Sequence, residues 1–231
     1  MKKYILISIV ALSALVACTK EHATNQKITY YPVVTLEGDD PFCIPIGKQY
    51  EDPGFSAIMA GKDVTDQVEV TSSVNSAKPG IYAVSYYLVN EDGFSSTKNR
   101  QVIVYDPSIK TDISGSYTVQ PGSYRLYWST GNTTAFDGFG VKISEVCPGM
   151  FKISDLLGGY YDQGTGYGSS YAMSAYISPK SDNSLEAFNA LVPGWGDSYD
   201  VFEGSYDPET GNISIYLEYA GSMEFHITLA K

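Results

Sequence analysis

The chain is poor in the residues on which many enzymes and metal proteins depend. It holds two histidines and three cysteines among 231 residues, too few for a His/Cys-built metal centre or a histidine-dependent triad. Basic side chains are scarce too. The 15 Lys+Arg stand against 26 Asp+Glu, a formal net charge of −11, and binding to phosphate needs lysine and arginine clusters that are missing here. No nucleic-acid partner is expected. Charged residues make up 18% and apolar residues 43%, against a usual charged share of about 25%. This composition is neither that of a disordered chain nor that of a membrane-embedded one.

Long apolar runs are lacking as well. The run from Tyr4 to Ala17 follows Lys2 and Lys3 and is broken only by Ser8 and Ser13. It is shorter than the roughly 20 residues that span a bilayer and has the form of a signal-peptide core. It ends in Leu15-Val16-Ala17-Cys18, where small residues before a cysteine form a lipobox, the sequence that bacterial lipoprotein signal peptidase reads. Export would leave Cys18 as the lipidated mature N-terminus. Each buried acyl methylene contributes about 0.8 kcal/mol, so several chains on one cysteine hold a protein on a membrane without spanning it. The expected location is the outer membrane, lipid-anchored and facing the cell exterior. Removing residues 1–17 takes away two lysines, and 13 basic against 26 acidic side chains leave −13. Residues 18–27 are polar and read as a tether.

What is abundant is glycine (22), proline (11) and tyrosine (20), the mixture of many short strands and turns. Between Ile28 and Asp106 the pattern predicts about seven strands with almost no helix. Tyr82, Val84, Tyr86 and Leu88 alternate with Ala83, Ser85 and Tyr87, and Asn90-Glu91-Asp92-Gly93 supplies a turn. That strand count is the one for an immunoglobulin-like sandwich. From residue 107 to 231 the alternation resumes. Ile213, Ile215, Leu217 and Tyr219 share one face, then Met223, Phe225, Ile227 and Leu229 share another, predicting a closing hairpin. The fold class is therefore all-β: an N-terminal Ig-like β-sandwich over 28–106, followed over 107–231 by an antiparallel β-sandwich or a small barrel.

Some of these residues carry a more specific likeness. Gly47, Tyr50-Glu51-Asp52-Pro53-Gly54-Phe55, Asp63-Val64-Thr65, Lys78-Pro79-Gly80-Ile81-Tyr82 and Arg100-Gln101-Val102, in that order, resemble the Ig-like domain common in Bacteroidetes surface proteins. The second half, with Pro148 to Tyr161, Gly164 to Gly168 and Trp195-Gly196-Asp197, resembles the domain found behind that module in a Bacteroidetes lipoprotein family. Such proteins are similar to accessory components of SusC/SusD-type nutrient uptake systems. The resemblance implies a SusC/SusD-like outer-membrane transporter as partner and an oligosaccharide or oligopeptide as possible ligand.

The chemistry-bearing residues point the same way. His226 shares a strand face with Glu224 and Thr228, opposite the apolar set, and His22 lies in the tether. No serine or cysteine therefore has an evident histidine partner, and no catalytic residue is assigned. A carboxylate pair of the glycosidase type is the remaining enzymatic alternative, with Asp155, Asp162, Asp197, Asp200 and Glu203 as its candidates. A purely structural or adhesive surface protein is the other alternative. Gly164-Thr165-Gly166-Tyr167-Gly168 lacks the third glycine and the following helix of a nucleotide fingerprint and reads as a long flexible loop. No cofactor or metal site is expected. Cys43 and Cys147 fall one in each domain, and free, buried thiols are the expectation. The binding candidates are Tyr160, Tyr161, Tyr167 and Tyr171, on a stretch too polar and glycine-rich for a core strand, and Trp195, in Pro193-Gly194-Trp195-Gly196-Asp197. Exposed loop aromatics offer wide contact area at low entropic cost. The competing expectation is that these rings fold back and plug the end of the domain.

Overall fold

The computed structural model describes residues 28–231. The signal peptide, Cys18 and the tether lie outside the described residues. The N-terminal domain comprises β1 (Val33–Leu36), β2 (Phe42–Pro45), β3 (Phe55–Met59), β4 (Lys62–Asp63), β5 (Glu69–Ser72), β6 (Gly80–Val89) and β7 (Ser95–Tyr105). They form two sheets, β1-β3-β4 and β2-β7-β6-β5. Alternating inward residues, among them Val34, Ala57, Val84, Tyr86, Leu88, Val102 and Val104, bury against one another between the sheets, as a sandwich requires. One inward side chain is charged. Arg100 is fully buried and donates to the carbonyls of Glu37, Asp39 and Gly54 and to the Tyr86 hydroxyl. Tyr86 in turn donates to Asp52 at 2.7 Å. Charge-assisted bonds to several carbonyls offset the desolvation of the guanidinium and fasten the β1–β2 loop to the sandwich.

The second domain continues with β8 (Gly115–Val119), β9 (Tyr124–Tyr127), β10 (Asn132–Ala135), β11 (Gly140–Cys147), β12 (Met150–Ile153), β13 (Ser174–Pro179), β14 (Ser184–Leu191), β15 (Tyr199–Tyr206), β16 (Ile213–Tyr219) and β17 (Met223–Ala230). From β11 to β17 each strand pairs antiparallel with the next. The meander closes because β8 pairs with β11, through Gly140↔Thr118 to Ile143↔Gly115, and also with β17, through Leu229↔Val119 and Ala230↔Thr118, while β9 pairs with β17 through Met223↔Tyr127 to His226↔Tyr124. β8 and β9 thus act as one long strand interrupted at Pro121-Gly122, and the domain is a barrel rather than an open sandwich. The weakest join is between β14 and β15, where only Ser184↔Ser205 and Leu185↔Gly204 are in register. Inward residues from the strands fill the interior, including Tyr117, Val141, Ile143, Phe151, Ile177, Ile215, Leu217, Phe225 and Leu229. Antiparallel neighbours gather the end of β12 with the start of β13, the end of β14 with the start of β15, and the end of β16 with the start of β17. The β11–β12 turn, at Pro148-Gly149, is at the opposite end.

Cys43 and Cys147 are joined. Their Cα atoms are 6.0 Å apart and the disulfide bridges the two domains, which corrects the expectation of free thiols. The bridge lies within a small apolar cluster that packs the domains together. Ile103 of β7, Met150 of β12 and Cys147 are buried together, with Ile81, Tyr105, Tyr176 and Phe188 packed around them. The Tyr176 hydroxyl donates across the junction to the Gln101 side-chain oxygen.

A covalent loop of this length restricts the unfolded chain strongly. The double variant Cys43→Ser/Cys147→Ser is expected to lose about 2–4 kcal/mol of stability in urea titration while keeping its far-ultraviolet circular dichroism. Thiol titration of the denatured, unreduced protein should find neither cysteine free; a free pair would contradict the bridge.

Candidate functional site

The glycine-rich stretch after β12 is ordered, not the flexible loop expected from its composition. It begins at Asp155, whose side chain is buried and accepts the backbone N–H groups of Leu157 and Met173 on Oδ1 and of Gly159 on Oδ2, at 2.8–2.9 Å. These bonds turn the chain back into the barrel mouth and bury Leu156 and Leu157. A single π-helical turn follows over Tyr160–Gly164, in which the Gly164 and Thr165 N–H groups reach carbonyls five residues back. Gly159 sits at φ +77°, and a Cβ there would fall 2.8 Å from Phe139, so the turn needs glycine at this point. Gln163 exchanges hydrogen bonds with the backbone of Gly140, which satisfies the polar side of the turn.

The five candidate aromatics therefore separate. Tyr160 and Tyr161 are each 8% exposed and belong to the barrel core, so as candidate contact residues they are corrected: their rings close the barrel end. Tyr160 meets Phe136 and Phe225 edge-on at 5.1 and 5.4 Å, and the Arg125 guanidinium stands 4.9 Å over its ring. Arg125 points inward from β9, a placement that local sequence did not reveal. Burial raises the Tyr161 phenol above its ordinary value.

Tyr167 and Trp195 remain outside, 57% and 43% exposed, with Tyr171 half-buried between them. Trp195 rests on the plug. Its ring lies 4.8 Å from Tyr161 at 89° and 4.8 Å from Tyr171 at 64°, while Tyr167 stands perpendicular to it at 6.3 Å. These edge-to-face angles are the favoured ones. The turn that carries Trp195 is tight: Val192 and Asp197 form an isolated bridge, and the Trp195 and Gly196 N–H groups both donate to the Val192 carbonyl. A Cβ on Gly194 would lie 2.7 Å from the Tyr171 ring, so only glycine permits this approach. Beneath the indole, the Tyr219 hydroxyl donates to Asp197 at 2.7 Å, and burial together with that carboxylate pushes the phenol well above its usual range.

Three of the five candidate carboxylates are tied into the framework. Asp155 is enclosed by its three amides. Asp197 holds Tyr219, Asp200 accepts the Gly221 N–H at 2.8 Å, and Asp162 lies in the π-helical turn. Glu203 stands on the outside of the barrel wall opposite Tyr216. The arrangement as a whole is an aromatic step, two exposed rings at right angles fixed from behind by three packed ones.

Comparison with known proteins places this architecture. A family of bacterial surface protein Ig-like domains matches residues 34–104, and a C-terminal domain family matches residues 106–231. The crystal structure of the lipoprotein BT2262 from Bacteroides thetaiotaomicron is 38% identical over 87% of this chain and 100% of that one, with a TM-score of 0.49. The chain belongs to this lipoprotein family. Two structures of Clostridium perfringens ZmpB match at 13% and 14% identity, with TM-scores of 0.29 and 0.27. One holds its M60 catalytic domain with CBM51-1 and CBM51-2, the other CBM51-2 with GlcNAc and INT domains; they cover 88% and 86% of this chain and 21% and 44% of theirs. No curated protein matches. Family membership thus rests on identity across both domains, and the Ig-like module is of the bacterial surface type.

Asp155 gives this end of the barrel a pH signature. Burial, the largest influence, pushes its carboxyl up to about 6 against the three amides that favour the charged form. A carboxyl raised in the folded state contributes stability that is complete below its unfolded value near 4 and is lost as pH rises through 6. The loss over that window is about 3 kcal/mol. Unfolding titrations from pH 4 to 7 should show this decline, and Asp155→Asn should flatten it. Asp155→Ala leaves three buried amides without a partner and is expected to cost at least about 3 kcal/mol; an unchanged midpoint would show that the staple is dispensable.

Proposed function

We propose that this protein is a lipid-anchored surface protein that serves a SusC/SusD-like TonB-dependent uptake complex as a non-catalytic accessory. Its contact point is the aromatic step formed by Trp195 and Tyr167, with Tyr171 between them. The observation that carries this reading is the division among the five aromatics. The barrel has its plug in Tyr160 and Tyr161, yet the chain holds two further rings in solvent at fixed angles. Rigid exposed aromatics present a broad amphipathic surface at little ordering cost, suited to a sugar face or an apolar peptide side chain, or to a transporter loop.

Three further observations support it. Leu15-Val16-Ala17-Cys18 has the form of a lipobox, and a relative in this family is a Bacteroides lipoprotein. Among the described residues no helix is long and apolar enough to cross a membrane. Two carboxylates at this end, Asp197 and Asp200, are engaged by Tyr219 and Gly221, which favours binding over hydrolysis.

Affinity purification of the lipidated protein from its native outer membrane is expected to bring transporter components with it; recovery of none would sink the accessory role. On glycan and peptide panels, Trp195→Ala and Tyr167→Ala should each weaken the best ligand by roughly tenfold or more. Equal binding by Trp195→Ala would remove the indole from the site.

A further inference from the structure

The outward face of β15, β16, β17 and β9 differs in character from the rim. Across these four strands Glu203, Tyr216, His226 and Tyr124 lie opposite one another, as do Val201, Glu218, Glu224 and Leu126. Both rows point away from the core, because the alternate residues Ile215, Leu217, Phe225 and Ile227 are the buried ones. His226 lies flat on Tyr124, with centroids 4.5 Å apart and planes 15° from parallel, and meets Tyr216 at 5.0 Å on its other side. One oxygen of Glu224 bonds the imidazole Nε2 at 3.0 Å, and the other accepts the indole N–H of Trp128, also at 3.0 Å. The Tyr216 hydroxyl donates to Glu218 at 2.9 Å.

Four rings are thus locked in place around three carboxylates, and Trp128 and Val201 stay 42% and 38% exposed at the edge. Neither row contains a lysine or arginine. Arg125, the basic residue of β9, turns inward over Tyr160, which leaves His226 as the basic group of the face. The ionisable groups of the two rows other than His226 are carboxylates and phenols, and the carboxylates of Glu203, Glu218 and Glu224 stand beside π-faces. A neutral sugar gains nothing from the surplus of negative charge, and the Tyr124 and His226 rings cover each other. Carboxylates and aromatic faces together are what ammonium and guanidinium groups seek.

We propose that this face is a second docking surface, and that its occupant is a basic segment of a partner protein. Lysine or arginine side chains seat between Trp128, Glu224 and the Tyr216–Glu218 pair. The surface shares no residue with the Trp195 step.

The test uses the full mature protein and two extended peptides, one alternating lysine with serine and the other glutamate with serine. The lysine peptide is expected to bind and the glutamate peptide not to, and the affinity should fall steeply with added salt. Glu218→Gln/Glu224→Gln and Trp128→Ala should each weaken the lysine peptide by roughly tenfold, with unchanged circular dichroism, while Trp195→Ala leaves it as it was. Failure of the lysine peptide to bind, equal binding of both peptides, or full binding by the two variants would each overturn the assignment. So would a neutral oligosaccharide that binds at Trp128 in place of the peptide.

Discussion

The interior of an eight-stranded barrel is about wide enough for its own side chains, and most of what distinguishes the second domain follows from how that space is stopped at one end. The segment after β12 does this. Asp155 gathers three amides, the chain re-enters the mouth, and Tyr160 and Tyr161 seal it against Phe136, Phe225 and Arg125. With the interior filled by its own residues, any recognition has to occur on surfaces. The aromatic excess beyond the plug is accordingly found at the rim, around Trp195, and on the outer wall, around His226 and Trp128.

The legible and illegible parts of the fold divide by range of interaction. The alternation in β16 and β17 stood out because each strand has one wet and one dry face, and the outward position of His226 followed from the same period. The choice between sandwich and barrel did not, since closure depends on Val119 and Thr118 meeting Leu229 and Ala230 across most of the domain. Tyr160 and Tyr161 were misplaced for an instructive reason. Their neighbours are polar and glycine-rich, but the polarity is consumed locally, by the π-helical turn and by Gln163 on Gly140, so the rings are free to turn inward. The stacking of His226 between Tyr124 and Tyr216 is likewise a product of register, visible only once the three strands are aligned.

The two domains are joined by packing as well as by a covalent bond. The cluster of Ile103, Met150 and Cys147 is small, but it holds the Ig-like sheet against the outer wall at β12, β13 and β14, and the family relationship spans both domains together. The N-terminal module is therefore part of what supports the barrel. Through Tyr176 and Gln101 as well as the apolar cluster it fixes the direction in which the barrel end faces.

The cysteine bridge also has a mechanical meaning. A pull between the N-terminal end and the barrel rim enters through β1 and reaches Cys43, where the bond hands it directly to Cys147. The chain between those two positions, which includes β3 to β10, lies inside a covalent loop and cannot be drawn out. Tension along the chain therefore runs through a short leading segment and the strands after Cys147, while the enclosed strands are loaded only through their contacts with those parts, as β3 is through β1, and cannot be unravelled end to end.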